Sequence, residues 1–240
     1  MLRGGRGGHV RLKLYLSYLW LQKEDSAREL AIRHSAWATL FDLPDPEKSG
    51  ARRISDAHAW LEEHRFIDVV RTGRLNVVTV LDENGRGEPW IAPGAAAKKE
   101  KEENRLGLGA VTHRYLQIPK AFWTRGHIAV LSGAGVAMFL ALLSEAGGLD
   151  GGLWFSPRAA EARFALSEDT RSKGLRELAD AGLINTKRRP VNETDFMAEA
   201  QHMRNVHFLQ MERLNETAAI IPKRRFIRIP KNRIPVDTED

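Results

Sequence analysis

Two runs of β-branched residues set close together limit this chain's fold more than any other feature: Phe66-Ile67-Asp68-Val69-Val70-Arg71 and Leu75-Asn76-Val77-Val78-Thr79-Val80-Leu81. Only a Gly73-Arg74 turn separates them, so they read as a β-hairpin with Arg71 and Arg74 at its tip. What precedes them is helical. Leu12, Leu16, Leu19 and Trp20 recur at helical spacing and predict one amphipathic helix over residues 10–22. A second helical stretch, residues 26–41, carries Leu30, Ala31, Trp37, Ala38 and Phe41 and stops before Pro44 and Pro46. A third, residues 51–64, sets Ile54, Ala57, His58 and Leu61 inward and Arg52, Arg53, Ser55, Asp56 and Glu62 outward.

Periodicity then dissolves. Asn84-Gly85, Pro93-Gly94, an alanine run and the sign-alternating block Lys98-Lys99-Glu100-Lys101-Glu102-Glu103 read as a solvated tether or short exposed helix, which places a linker at residues 84–110. Beyond it the same grammar returns. Tyr115-Leu116-Gln117-Ile118-Pro119 is extended, Ser132 caps a nearly all-apolar helix that Gly147-Gly148 closes, and Ser156-Pro157 opens the next helix. Ser167 caps a third helix through Asp180, Gly182 ends it, and residues 183–189 lead out as a strand with its return over residues 205–211. Placing Leu61 against Leu178 puts Phe66-Ile67 opposite Leu183-Ile184, so one module occurs twice.

The passage Leu131-Ser132, Ala137-Met138-Phe139-Leu140-Ala141-Leu142-Leu143, Trp154-Phe155-Ser156-Pro157, Leu166-Ser167-Glu168-Asp169-Thr170 and Gly174-Leu175-Arg176-Glu177-Leu178-Ala179-Asp180-Ala181-Gly182-Leu183-Ile184 resembles the winged helix-turn-helix superfamily, and within it bacterial regulators and plasmid replication initiators. The resemblance covers residues 131–189 in the stronger copy and 10–81 in the weaker. It implies a mainly α chain with small β-hairpin wings, an α+β class made of two winged helix-turn-helix domains. The expected divisions are a flexible basic arm (1–9), a first winged domain (10–83), the linker (84–110), a second winged domain (111–214) and a basic C-terminal segment (215–240). The first copy departs from the pattern in having Arg65 where the second has Gly182.

Such a module implies double-stranded DNA as partner. A helix across the major groove reads base edges from its first turns, while arms and wings fix register on phosphates. The expected readers are Arg52, Arg53 and Ser55 in the first copy and Asp169, Thr170, Arg171 and Lys173 in the second. Arginine suits guanine O6 and N7, and an acid accepts from cytosine N4. The expected phosphate contacts are Arg71, Arg74, Lys187, Arg188 and Arg189 on the wings and Lys223, Arg224, Arg225 and Arg228 in the tail. For each arginine the plainer reading is a solvated side chain, and the cluster argues more strongly than its members. The tail bases stand without an acid among Ile221, Phe226, Ile227 and Ile229, so they read as a strand that closes a sheet or pairs with a second subunit, with a homodimer as the outcome. The other reading of that stretch is a solubilising tail.

Composition narrows the rest. With no cysteine among 240 residues there is no disulfide framework, thiolate zinc site, iron–sulfur cluster or cysteine nucleophile. No phosphate-binding glycine loop ends in Lys-Ser/Thr, and the histidine spacings match no common zinc motif, so neither an enzyme, a cofactor nor a metal is expected. Trp37, Trp60, Trp90, Trp123 and Trp154 are expected in the core or at a domain junction. Arg11 and Lys13 break the apolar stretch that would otherwise pass for a signal peptide, and residues 128–143 are too short and too glycine-rich to span a membrane. The expectation is a bacterial cytoplasmic, nucleoid-associated protein with no membrane partner. Its function would be transcriptional regulation, with plasmid or phage replication initiation or partition as the alternative and a protein-interaction module of a chromosome-associated complex as the third.

Overall fold

In the computed structural model, which describes residues 7–22, 30–72, 75–107, 115–145, 152–190 and 203–219, the first apolar period becomes α1 (Gly8–Gln22). The helix is not amphipathic as its spacing predicts. Residues 13–18 are all buried, because other helices cover it on more than one side. The predicted second helix is also shorter, with α2 confined to His34–Leu40. Leu30 instead exchanges both backbone hydrogen bonds with Val78 (3.1 and 2.9 Å), which holds the chain extended up to Arg33. A π turn at Pro46–Gly50 leads into α3 (Ala51–Glu63), whose buried residues are the four expected ones. The hairpin forms as β1 (Ile67–Thr72) and β2 (Leu75–Val80), with Val69 opposite Val78.

Within the predicted linker, residues 93–105 form a helix, α4 (Pro93–Arg105). Lys99 pairs with Glu103 and Arg105 with Glu102 along its exposed side, and buried Ala92 and Ala96 seat it.

Two short helices, α5 (Ala121–Thr124) and α6 (His127–Val130), precede α7 (Gly133–Glu145), α8 (Pro157–Phe164) and α9 (Glu168–Asp180). The three serines cap as their positions predict. Ser132 Oγ accepts from Ala134 N–H (3.2 Å), Ser156 Oγ from Ala159 N–H (3.1 Å) and Ser167 Oγ from Thr170 N–H (3.3 Å). The last sheet is β3 (Ile184–Pro190) against β4 (Met203–Leu209), the return strand starting two residues before its predicted position. Glycines 147 and 148 lie outside the described residues.

Among the described residues the chain is thus mainly helical with two small antiparallel sheets, an α+β arrangement, and its two halves repeat one element order. The correspondence extends to single hydrogen bonds. Phe66 N–H donates to Leu61 O and Leu183 N–H to Leu178 O; Leu81 N–H then donates to Phe66 O and Gln210 N–H to Leu183 O, each at 2.9 Å. Leu153 exchanges two bonds with His207 as Leu30 does with Val78. Gly182 ends α9 with φ 70°, and Arg65 ends α3 in the same left-handed conformation at φ 57°. The two chain paths coincide, but the first carries a Cβ penalty that the second avoids.

α7 and α9 pack closely, and Gly174 permits it: a Cβ there would meet the Ala134 carbonyl and Met138 Cβ. Overpacking a site with no free space costs about 1–3 kcal/mol. In denaturant melts Gly174→Ala is therefore expected to lose about that amount, whereas Arg65→Gly gains roughly 1 kcal/mol by removing the left-handed strain. A destabilised Arg65→Gly protein contradicts the repeat alignment.

Candidate nucleic-acid interface

Lys13 lies in the second turn of α1 and is only 3% exposed, and its Nζ donates to Ala129 O at 3.0 Å, just ahead of α7. Burial pulls its pKa down to about 8 against the partial support of Glu177 and Asp42. Further along α1, Ser17 Oγ accepts from Trp123 Nε1 (3.0 Å) and the Trp20 and Trp123 rings stack with centroids 4.9 Å apart, so Trp123 is a junction residue as expected. Glu177 of α9 takes the backbone N–H of Ser132 at 3.0 Å, which ties α9 to the start of α7. One helix of the first half is thereby fastened to the second.

His9, in the first turn of α1, is acted on by both halves' third helices. Arg53 Nη2 of α3 donates to its Nε2 at 2.8 Å, a bond that requires a neutral ring. Burial first, then the charges of Arg53, Lys13 and Lys173, hold the His9 pKa down at about 4. Lys173 belongs to α9. The first turn of α3 thus meets the first turn of α1 beside an open hollow lined by Gly7, His9, Arg11, Arg53 and Asp56, and the second turn of α9 is near enough for the Lys173 charge to act on His9. The Arg11 guanidinium lies over the Trp60 ring at 4.6 Å.

Among the predicted readers, Arg52 and Ser55 on α3 and Asp169 and Lys173 on α9 are exposed. Arg53 is half-buried on His9. Thr170 is half-buried with its hydroxyl 2.9 Å from the Ser167 hydroxyl, so it serves the helix cap. Arg171 is half-buried with Nε enclosed, and its charge helps hold His207 of β4 below the usual histidine pKa, after burial. Of the wing bases, Arg71 is held by Glu62 in a two-pronged ion pair (2.7 and 3.2 Å), which raises its pKa. The Lys187-Arg188-Arg189 run is split by the strand's pleat. Lys187 and Arg189 share one face and Arg188 takes the other. Arg74, Lys223, Arg224, Arg225 and Arg228 lie outside the described residues.

His9 falls in the expected flexible arm, yet it lies in the first turn of α1, and Arg11, expected only as a charge that breaks the apolar stretch, lies over Trp60. Trp154, expected in the core or at a junction, is 47% exposed with the Arg204 guanidinium 5.0 Å from its ring centre. Its neighbour Leu153 makes the strand bridge and points inward, which turns Trp154 outward. Among the described residues no group of three histidines and carboxylates is placed to hold a metal, and no helix is long and apolar enough to cross a membrane. No protein-family model, curated protein or solved structure matches this chain.

A chain of histidines braces the first half. Tyr18 O–H donates to His58 Nε2, His58 Nδ1 lies 3.2 Å from His34 Nε2, and Asn76 Nδ2 reaches His34 at 3.4 Å, joining α1, α3, α2 and β2. A donating Tyr18 leaves His58 neutral with its proton on Nδ1. Burial first, then His34 and Arg71, push the His58 pKa to about 3, and burial lowers that of His34. Because the folded pKa values lie below the unfolded 6.5, the unfolded chain binds more protons, and the stability present above pH 6.5 is lost as pH falls. For deeply buried His58 alone the slope is about 1.4 kcal/mol per pH unit between pH 6.5 and its folded pKa. Urea melts from pH 7.5 to pH 4.5 are expected to show this decline, and a flat profile contradicts the neutral-histidine assignment.

Proposed function

We propose that this chain binds duplex DNA at specific sites through two winged helix-turn-helix modules, and that it acts as a transcriptional regulator by occupying an operator. The observation that carries the reading is that both third helices bring a cation to His9 in the first turn of α1: Arg53 of α3 by a hydrogen bond and Lys173 of α9 by its charge, with Arg11 lining the same hollow as Arg53. Each half supports the module by its element order: helix, bridging strand residue, helix, helix, hairpin. In this reading Arg52, Ser55, Asp169 and Lys173 meet base edges, and Arg188 meets phosphate on the wing face turned towards α9. The exposed acids Glu168 and Asp169 at the start of α9 suit the helix dipole and also make the contact selective, since they repel phosphate that no base contact offsets. No catalytic role enters the proposal.

In this reading, with α1 packed on α3 and α7, and α7 on α9, the reading helices act as one composite surface and not as two separately tethered readers. A second reading, a replication initiator on origin repeats, is favoured by the basic and aromatic outer face of the second sheet.

The test is competition binding with the preferred genomic fragment, identified by sequencing the fragments that the full chain retains. Arg52→Ala is expected to cost about 1–3 kcal/mol of discrimination at one base position. Arg188→Ala is expected to weaken all duplexes evenly and lower the salt slope by about one. If Arg52→Ala and Lys173→Ala both keep the parent's preference, the reading surface is wrongly placed. If the parent retains no fragment at low salt, duplex binding itself is wrong.

A further inference from the structure

The outer face of the second sheet carries a set of side chains that duplex reading does not use. Pairing places Arg189 opposite Arg204, Lys187 opposite Val206 and Asn185 opposite Phe208, and the pleat sets these six on one face. The bridge between Leu153 and His207 adds a third strand segment beside β4. A Cβ on Gly152 would meet Val206 and Phe208, so Gly152 and, two residues on, Trp154 belong to this same outer face. The opposite face holds Leu153, Ile184 and His207, all buried towards the helices.

Among the described residues the outer face therefore presents two aromatic rings, three cations and no acid. Cations lie over the rings: Arg204 is 5.0 Å from the Trp154 centroid, and Arg189 and Lys187 are 5.1 and 5.6 Å from that of Phe208. Trp154 is nearly half exposed at this place, while Trp37 and Trp123 are buried. A solubilising face needs charge but not a tryptophan, and an apolar docking face would not carry three cations. Rings for bases with cations for phosphates are the pairing that single strands require, because an unpaired base offers a π-face that a duplex hides in its stack.

We infer that this face, centred on Trp154, Phe208, Arg189 and Arg204, binds single-stranded nucleic acid by stacking unpaired bases, separately from the duplex surface around α3 and α9. Its sheet turns its other face to α9, so a strand held here lies away from the groove-reading side. The face gives the chain a grip on an opened strand next to the duplex that it reads.

Fluorescence anisotropy of the full chain with labelled oligo(dT) of about 12 nucleotides, the same length of abasic strand, and a random duplex tests this. The parent is expected to bind oligo(dT) more tightly than the abasic strand. Trp154→Ala is expected to weaken oligo(dT) binding about tenfold or more while leaving duplex affinity within about twofold, the range set by loss of one stacked base. Trp154→Phe, which keeps a ring and the fold, is expected to retain most of the affinity. Equal binding of abasic and oligo(dT) strands overturns the inference, as does an equal loss on both substrates or a Trp154→Phe protein no better than Trp154→Ala. Because duplex affinity is read in parallel, failure of the single-strand site is distinguished from failure of the duplex reading.

Discussion

The buried contact between α1 and the second half is the constraint on which the rest of the molecule depends. A lysine 3% exposed, with its ammonium on the Ala129 carbonyl, is costly to bury, and it is sustained by a carbonyl acceptor with Glu177 and Asp42 nearby. With the Trp20–Trp123 stack and the Ser17–Trp123 hydrogen bond, it joins the two halves into one continuous apolar core. Packing of that kind fixes position as well as energy. α3 packs on α1 directly and α9 through α7, so His9 meets Arg53 and feels Lys173.

Much of this was legible in the sequence where local chemistry decides the outcome. Ser132, Ser156 and Ser167 begin helices because a hydroxyl there accepts from an otherwise unpaired N–H, and the match of Leu61 to Leu178 holds down to equivalent backbone hydrogen bonds. Where tertiary contacts decide, the reading failed. Leu30 carries a helical period but pairs with Val78, a partner far along the chain that no local pattern reveals. The burial of α1 on several sides shows in its sequence only as a run, Leu14 to Tyr18, that is more apolar than one helix face requires.

The candidate site follows the same division. Exposure of Arg52, Ser55, Asp169 and Lys173 follows from helical phase and was readable. The capture of Arg71 by Glu62 and the part-burial of Arg171 against β4 depend on three-dimensional neighbours and were not. The split of Lys187 and Arg189 from Arg188 was available in principle, since a strand alternates its side chains. Reading the three as one basic block hid the face on which Trp154 and Phe208 stand.

If the chain binds duplex DNA as proposed, then α3 and α9, both referred to α1, meet a single stretch of it. A hydroxyl-radical footprint of the full chain on its preferred fragment measures this directly. The account predicts one uninterrupted protected segment on one side of the duplex. Two protected patches centred about 10 base pairs apart, the spacing of independent readers in successive major grooves, would contradict it.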